Sequence, residues 1–245
     1  MSDRQKILLL TGASRGIGHA TVIKFNACGW RVLTISRDPF DPRCPWEGGM
    51  ANHIQLDLAD LGKVQAAIPV ILQKTDGHLD ALINNAGISP KLGGGGKPST
   101  FDLNYAEWLH VFNVNFFAGL VLAQGFRDAL VASKGSIVNI GSIAGSRVHP
   151  FASAAYATSK AALSALTREL ASDLGPTGVR VNAVAPGEIE TSILSAGTAE
   201  LVEREVPMRR MGKAKEVGDL LYFLCSPDAT YITGSEIQIN GGQMV

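Results

Sequence analysis

A tyrosine and a lysine four residues apart are the first side chains of this sequence whose types and spacing suggest chemistry. If the segment around them is helical, Tyr156 and Lys160 lie on one face, and the ammonium group is close to the phenol. A neighbouring positive charge favours the tyrosinate, so we predict a phenol whose pKa is lowered toward a range useful for acid–base catalysis. The alternative is an ordinary helical pair, because this spacing alone is common.

A serine adds a hydroxyl group to this pair. Residues 136–142 form a short run that predicts a strand, and Ser142 stands at its carboxyl end. In α/β sheets ligands bind at that end of the strands, so we predict that the Ser142 hydroxyl hydrogen-bonds a substrate oxygen. Ser136 and Ser146 are weaker candidates, and the alternative role for Ser142 is to cap the turn that follows.

A glycine-rich turn, TGASRGIG, begins at Thr11, directly after an apolar run at residues 6–11 and before a helical pattern at residues 17–28. At such a turn, backbone N–H groups can approach a pyrophosphate at the positive end of a helix, where side chains would obstruct them. We therefore predict a dinucleotide-binding turn. Its candidate residues are Gly12, Ser14, Arg15, Gly16, Ile17 and Gly18.

Strands and helices alternate along the chain that must position these groups. Short apolar runs predict strands at residues 6–11, 31–36, 54–58, 81–85, 136–142, 179–185 and 236–240. Helical periodicity predicts helices at residues 17–28, 61–73, 105–131, 153–174 and 214–225. This order is typical of a parallel sheet with helices on both faces. We predict a single α/β domain over residues 1–245 with a doubly wound, seven-stranded parallel sheet, and irregular connections at residues 38–50 and 88–101.

The composition excludes several classes of partner. Lys plus Arg and Asp plus Glu number 22 each, so no overall charge attracts the protein to nucleic acid or to an acidic membrane. Three scattered cysteines indicate no disulfide framework, and five scattered histidines indicate no metal site. The first residues lack a signal-peptide pattern and we see no apolar stretch long enough to span a membrane. We expect a cytoplasmic protein with a small-molecule partner.

Taken together, these motifs resemble those of the short-chain dehydrogenase/reductase family. The glycine spacing of TGASRGIG matches that family, and NNAG at residues 84–87, Ser142, YATSK at residues 156–160 and PGEIET at residues 186–191 follow in the family's order. The resemblance covers nearly the whole chain. It implies a Rossmann fold and an oxidoreductase that moves a hydride between a nicotinamide and a carbonyl or alcohol carbon.

The resemblance also assigns site residues. Asn115 resembles the helix asparagine that holds a water behind the catalytic lysine, with Asn113 as the competitor, and it joins Ser142, Tyr156 and Lys160 as a catalytic candidate. Asp57, beside Leu58, resembles the acid that contacts adenine, whereas Asp60 is equally well explained as a helix-capping acid. Further cofactor contacts implied by the family are Asn85, Ala86, Gly87, Tyr156, Lys160, Pro186, Gly187, Ile189 and Thr191.

The end of the second predicted strand favours NADP(H) as the cofactor. A carboxylate there would accept bonds from the ribose of NAD, but here the strand ends with Ser36 and Arg37. Arg37, together with Arg15 of the glycine turn, offers guanidinium groups that match phosphate oxygens. The alternative is that both arginines are solvated and that Asp38 selects NAD.

The substrate is defined only as a class. The C-terminal part resembles 3-oxoacyl-carrier-protein reductases and related sugar, polyol and ketone reductases. Ser133, Lys134 and Thr177 stand where carrier-protein reductases have basic docking residues, and they form a poorer patch, so this substrate becomes the alternative. We predict reduction of a small or medium carbonyl compound. A non-catalytic dinucleotide sensor is the alternative from another class.

Three further expectations concern the surroundings of the site. Gly93–Gly96 and residues 188–204 should flank the mouth of the pocket, where such loops close over a substrate. His149 is best explained as a simple loop histidine, although its segment should form part of the pocket wall. The family resemblance implies a homo-oligomer, either a dimer or a tetramer.

Overall fold

Seven parallel strands form the main sheet of the computed structural model, which describes residues 4–44, 46, 48–92, 96–191, 195 and 197–245. The strands of the described chain are β1 (Ile7–Thr11), β2 (Arg31–Ser36), β3 (His53–Gln55), β4 (Ala81–Asn84), β5 (Ser136–Ile140), β6 (Arg180–Pro186), β7 (Ile189–Glu190), β8 (Gly212–Lys213) and β9 (Glu236–Ile239). The order in the main sheet is β3-β2-β1-β4-β5-β6-β9, while β7 and β8 pair with each other.

Helices cover both faces of this sheet. They are α1 (Gly16–Ala27), α2 (Gly49–Asn52), α3 (Leu61–Lys74), α4 (Tyr105–Phe112), α5 (Ala118–Gly125), α6 (Arg127–Ser133), α7 (Ala154–Leu174), α8 (Thr198–Glu205) and α9 (Ala214–Cys225). In β1, Ile7 and Leu9 pack with α3, α5, α6 and α7, while Leu8 and Leu10 pack with α1 and α9. Because successive side chains of a strand point to opposite faces, a strand covered on both sides reads as a continuous apolar run.

The order of the strands reverses at β1, which lies between β2 and β4. Such a switch point leaves a crevice at the carboxyl ends of the strands, where doubly wound folds bind ligands. Asn85 closes the base of this crevice, because its side-chain amide donates to the carbonyl oxygens of Thr11 (2.9 Å) and Gly12 (2.8 Å). The backbone N–H groups of Asn85 and Ala86 both donate to Thr11 Oγ1 at 3.0 Å.

A chain of buried polar side chains fixes α7 to the sheet. The Asn84 amide donates to Asn139 Oδ1 (2.9 Å), and the Asn139 amide donates to Thr167 Oγ1 on α7 (2.9 Å). Thr167 in turn donates to the Leu163 carbonyl oxygen at 2.8 Å. Buried hydrogen bonds of this kind specify one arrangement, since any displacement leaves a polar atom without a partner. The position of α7 relative to β5 is thereby defined.

The predicted seven-stranded, doubly wound sheet is confirmed, with local differences. The strand predicted at residues 54–58 is β3, which ends at Gln55, and the helix predicted at residues 105–131 is interrupted by a π-helical turn at Asn113–Phe117 and again at Phe126. Gly125 ends α5, where a Cβ atom would lie 2.2 Å from Ile68 Cδ1. The helices α2 and α8 and the pair β7–β8 were not predicted from the sequence, because each of these elements is only two to eight residues long.

One described helical segment, Tyr105–Gly125, is long and apolar enough to cross a membrane by length and composition alone. We expected no such segment from the sequence. Its length and composition are weak support for a span, because helices of soluble proteins meet the same criterion. The segment packs against α7 and α3 in the fold.

Candidate active site

A cavity of about 600 Å³ extends along the carboxyl ends of the strands, from the end of β2 to the beginning of α7. The predicted site residues that line it are Gly12, Ser14, Arg15, Gly16, Ile17, Gly18, Arg37, Asp57, Leu58, Asn85, Ala86, Gly87, Ser142, Tyr156, Lys160, Pro186, Gly187, Ile189 and Thr191. Asn115 is the one predicted residue outside this wall. Residues that are far apart in sequence therefore meet along a single cavity.

The glycine turn between β1 and α1 has no room for side chains. A Cβ atom on Gly18 would lie 2.1 Å from the Gly12 carbonyl oxygen, and one on Gly12, whose φ is +71°, would lie 2.8 Å from Ala86 Cα. The turn therefore brings the backbone and the N-terminus of α1 to the edge of the cavity. N–H groups and a positive helix end in this position fit the pyrophosphate of a dinucleotide.

The two acids that follow β3 have different roles. Asp60 caps α3, because its Oδ1 accepts from the Lys63 backbone N–H at 3.0 Å. Asp57 is exposed and lines the cavity, with its Oδ1 accepting from the Ala59 backbone N–H at 3.0 Å. The geometry leaves Asp57, and not Asp60, on the wall of the cavity.

Arg37 and Asp38 both reach the same end of the cavity. Their side chains are exposed, and Arg37 Nε lies 3.9 Å from Asp38 Oδ1. A surface pair of this kind contributes little to stability, so both groups remain available to a ligand. The geometry alone therefore does not decide between the 2′-phosphate of NADP and the ribose hydroxyl of NAD.

The two asparagines considered for the helix site point to different neighbours. Asn113 donates to the Ala59 carbonyl oxygen at 3.1 Å, on the side of α3. The Asn115 amide group donates to Ile88 O and to Ser159 Oγ, both at 3.0 Å, and its Oδ1 accepts from the Ile88 N–H at 2.8 Å. Both lie in the π-helical turn, a distortion that is frequent at functional sites. Asn115 thus joins α7 to the segment after β4, directly behind the cavity.

Lys160 extends from α7 toward the end of β5. Its side chain is buried, and Nζ donates to the Ile140 carbonyl oxygen at 2.6 Å. Burial lowers the pKa of this ammonium group from 10.5 to about 8. A Cβ atom on Gly87 would lie 3.3 Å from Nζ and 3.5 Å from Asn115 Oδ1, so the absence of a side chain at Gly87 leaves the space that the lysine occupies.

Tyr156 lies beside this ammonium group, as the spacing of the two residues predicts. Lys160 Nζ is 5.7 Å from the centre of the tyrosine ring. The expected lowering of the phenol pKa is wrong for the chain itself: burial raises the pKa of Tyr156, a hydrogen bond with Ser142 lowers it by less, and the charge of Glu188 raises it further. The phenol of the free protein is therefore protonated at neutral pH.

Ser142 has the capping role considered for it, and its bond to a substrate oxygen stays a prediction. Its Oγ accepts from the Ala144 backbone N–H at 3.2 Å, which caps the short 3₁₀ turn Ile143–Gly145, and the hydroxyl lies close enough to Tyr156 to lower the pKa of that phenol. Ser136 stands at the opposite end of β5, where its hydroxyl is buried. The carboxyl end of the strand therefore presents Ser142 and Tyr156 together, as a pair of hydroxyl groups suited to one substrate oxygen.

His149 is more than a simple loop histidine. It is buried in the cavity wall, where its Nε2 lies 2.7 Å from Glu188 Oε1. Lys91, which sequence reasoning missed, also lines the cavity and donates to the Phe151 carbonyl oxygen and to Ser195 Oγ. No local pattern reveals these contacts, because each joins segments that are distant in sequence.

Two other expectations concern the glycine-rich flank of the pocket and metal binding. In the predicted Gly93–Gly96 flank of the pocket, residues 93–95 lie outside the described residues, and Gly96 accepts from the Leu92 N–H at 2.8 Å. Within the described part of the chain, no three His, Cys, Asp or Glu side chains form a group that could hold a metal ion.

Comparison with a protein-family model described as Enoyl-(Acyl carrier protein) reductase gives a match over residues 12–244. Among curated proteins, Protein FixR of Bradyrhizobium diazoefficiens is 52% identical over 240 residues, which is 97% of this chain and 86% of that protein. The 3-oxoacyl-[acyl-carrier-protein] reductase FabG of Aquifex aeolicus is 33% identical over 248 residues, covering 97% of this chain and 96% of that protein.

A solved structure is also closely similar. The crystal structure of an oxidoreductase of the short chain dehydrogenase/reductase family from Brucella ovis, in complex with a partially ordered NAD, is 51% identical to this chain. The TM-score is 0.82, and the match covers 97% of this chain and 100% of the other. Both the sequence and the arrangement of the elements are thus shared over almost the full length.

The buried ammonium group gives a testable dependence of stability on pH. Its pKa is about 8 in the folded protein, against the ordinary value of 10.5 that applies to the unfolded chain. Between these two values the unfolded chain binds more protons, so stability rises with pH. Below pH 8 the charged Lys160 ammonium therefore lowers the free energy of unfolding by about 3 kcal/mol. In Lys160→Met this penalty is absent at every pH.

We expect the free energy of unfolding of the wild type, relative to Lys160→Met, to increase by about 2 kcal/mol between about pH 7 and about pH 10. Urea unfolding of both proteins at a series of pH values measures this difference, and titrations elsewhere in the chain cancel. Two curves that remain parallel over this range would contradict the assigned pKa.

Proposed function

The chain belongs to the short-chain dehydrogenase/reductase family, and we propose that it is an NADP-dependent reductase of a small or medium carbonyl compound. The observation that carries the proposal is the placement of Tyr156, Lys160 and Ser142 on the wall of one cavity, with Lys160 Nζ 5.7 Å from the centre of the tyrosine ring. A phenol that is protonated at neutral pH can donate a proton to a carbonyl oxygen, which is the reductive direction.

The residues of the cavity support a bound nicotinamide dinucleotide. The glycine turn would hold its pyrophosphate, Asp57 and Leu58 its adenine, and Asn85, Ala86, Gly87, Tyr156 and Lys160 its riboses, with Pro186, Gly187, Ile189 and Thr191 along the carboxamide. When bound, this cofactor supplies the hydride that converts a carbonyl carbon to an alcohol carbon.

In the proposed reaction, the chain's own groups handle the proton. Tyr156 donates its phenolic proton to the substrate oxygen, while the Ser142 hydroxyl hydrogen-bonds the same oxygen and opposes the developing charge. The Lys160 ammonium stabilises the tyrosinate that remains, because an opposite charge at this distance favours the ionised form. Asn115 lies behind the lysine and ties α7 to the Ile88 backbone. This arrangement holds Lys160 in place while a proton returns from solvent to Tyr156.

The preference for NADP rests on Arg37, which follows β2, and on Arg15 of the glycine turn, and both residues line the cavity. Two guanidinium groups favour a phosphate. The carboxylate of Asp38 lies 3.9 Å from Arg37 Nε and partly offsets the positive charge of that guanidinium. The Brucella ovis relative was solved with a partially ordered NAD, and the Arg37→Asp variant tests the preference in this chain.

Four other properties belong to the proposal. We propose one domain over residues 1–245, a cytoplasmic location, a small-molecule carbonyl or alcohol as partner without nucleic acid or membrane, and a homo-oligomer, either dimer or tetramer. Each follows from family membership and from a composition with no excess charge. The 3-oxoacyl-[acyl-carrier-protein] reductase activity is the second candidate, favoured by the FabG relative.

Tyr156→Phe tests the proposed proton donor. We expect kcat for NADPH-dependent reduction to fall by at least about a hundredfold, because a positioned general acid contributes that much or more. The affinity for NADPH should change by less than about threefold, since the ring and Lys160 remain. The measurement is the loss of nicotinamide absorbance with ketones, 3-oxoacyl thioesters and sugars, beside a titration of NADPH fluorescence. Tight NADPH binding by the wild type with no turnover of any compound would favour the sensor instead.

Arg37→Asp tests the choice of cofactor. We expect the dissociation constant for NADPH to rise by about tenfold or more relative to that for NADH, because the variant loses a charge-assisted bond and adds repulsion. Arg127→Asp is the matched control, since that arginine is exposed on α6 and away from the cavity. Equal affinity of the wild type for both cofactors would contradict the preference.

A further inference from the structure

A buried carboxylate and imidazole lie in the cavity at the substrate end and take no part in the proton transfer described above. Glu188 follows the carboxyl end of β6, and His149 lies in the connection between β5 and α7. Only 12% of the Glu188 side chain and 9% of the His149 side chain are exposed, and Glu188 Oε1 lies 2.7 Å from His149 Nε2. Both side chains line the same cavity as Tyr156.

The backbone defines which ring nitrogen of His149 carries the proton. The Phe151 N–H donates to His149 Nδ1 at 3.3 Å, so this nitrogen is an acceptor and the proton is on Nε2. His149 is therefore a neutral donor to the Glu188 carboxylate. Lys97 donates to the His149 carbonyl oxygen at 3.1 Å, and Lys91 donates to that of Phe151, so two lysines hold this segment in place.

Glu188 retains an oxygen that can bind a ligand. Within the part of the chain that the structure describes, the carboxylate accepts one hydrogen bond, at Oε1, and Oε2 accepts none. The side chain keeps 12% of its exposure, and Oε2 is not among the buried atoms without a partner, so water can reach this oxygen and a substrate donor can replace that water. The charge acts on the reaction centre, since it raises the pKa of Tyr156.

We propose that Glu188, positioned by His149, determines substrate specificity by accepting a hydrogen bond from a hydroxyl or ammonium group on the substrate, close to its carbonyl carbon. The substrates are then small hydroxyketones or aminoketones, or the corresponding diols and amino alcohols in the reverse direction. This inference rests on the proposed function and names the substrate class of that same site.

The same carboxylate disfavours an apolar acyl chain. A chain placed against Glu188 would remove the remaining water from Oε2 without offering a donor. A hydroxyl or ammonium group would instead complete the carboxylate's bonding, and bonds to charged groups are stronger than neutral ones. Glu188 therefore favours polar ketones over 3-oxoacyl thioesters as substrates.

A matched series of ketones tests this inference. 2-Butanone, hydroxyacetone and aminoacetone have the same number of non-hydrogen atoms and differ in a methyl, a hydroxyl or an ammonium group beside the carbonyl. A second pair, 2-pentanone and 4-hydroxy-2-butanone, moves the donor one carbon further away. The measurement is kcat/KM for NADPH-dependent reduction by the wild type and by Glu188→Gln, which has nearly the same shape without the charge.

We expect the ratio of kcat/KM for the best donor-bearing ketone to that for its alkyl match to fall by about tenfold or more in Glu188→Gln. Comparing ratios between proteins cancels the intrinsic reactivity of each ketone. A larger loss for aminoacetone than for hydroxyacetone would identify an ammonium group as the natural donor. Unchanged ratios in both series would overturn the inference while leaving the reductase intact.

Glu190→Gln is the matched control, because Glu190 is exposed two residues further along the chain. It should leave every ratio unchanged. If no ketone is reduced by the wild type, the proposed function fails, and calorimetry of the same compounds with NADPH-saturated protein still tests Glu188. A preference for donor-bearing ligands that is lost in Glu188→Gln supports the inference, and equal binding overturns it.

A second pair of variants tests His149 as a positioning residue. His149→Gln keeps an N–H donor that can reach Glu188, whereas His149→Leu removes it. We expect the donor-to-alkyl ratio to fall in His149→Leu and to be largely restored in His149→Gln. A merely structural role would lower kcat for all ketones together and leave the ratio unchanged in both variants.

Discussion

The buried ammonium of Lys160 is the constraint around which the site is arranged. A charged group that leaves water needs partners and space, and here the Ile140 carbonyl at the end of β5 supplies an acceptor at 2.6 Å. Gly87 leaves the required space, and Asn115 encloses it from behind through its bonds to Ile88 and Ser159. The strand ends, the π-helical turn and α7 must therefore all take one arrangement if the lysine is to remain charged next to Tyr156.

The sheet provides that arrangement because its parallel strands end at a common edge. Asn85 ties the end of β4 to the glycine turn, and the buried bonds from Asn84 through Asn139 to Thr167 hold α7 on β5. The phenol is then placed on the cavity wall, where it stays protonated until a substrate oxygen accepts the proton. Glu188 lies at the same place, and under our proposal a polar substrate would donate to its Oε2, which accepts no hydrogen bond from the described residues.

Much of this was predictable from local patterns. The apolar run at β1 follows from a strand buried on both faces, and the four-residue spacing of Tyr156 and Lys160 places them together on α7. The π-helical turn that separates Asn113 from Asn115 was not predictable, because the helical periodicity continues through it. Nor was the bond between His149 and Glu188, which depends on where two distant loops meet. The direction of the Tyr156 pKa was misjudged because sequence shows a neighbouring charge but not the loss of water.

The central claim is that this cavity transfers a hydride to a carbonyl carbon while Tyr156 supplies the proton. Its most direct test uses NADPH with deuterium at both C4 positions of the nicotinamide and the ketone of the series above that the protein reduces fastest. Mass spectrometry of the product alcohol measures where the label goes. The account predicts one deuterium at the former carbonyl carbon and an unlabelled hydroxyl proton from solvent. An alcohol without deuterium at that carbon, or NADPH oxidised without any alcohol formed, would contradict it.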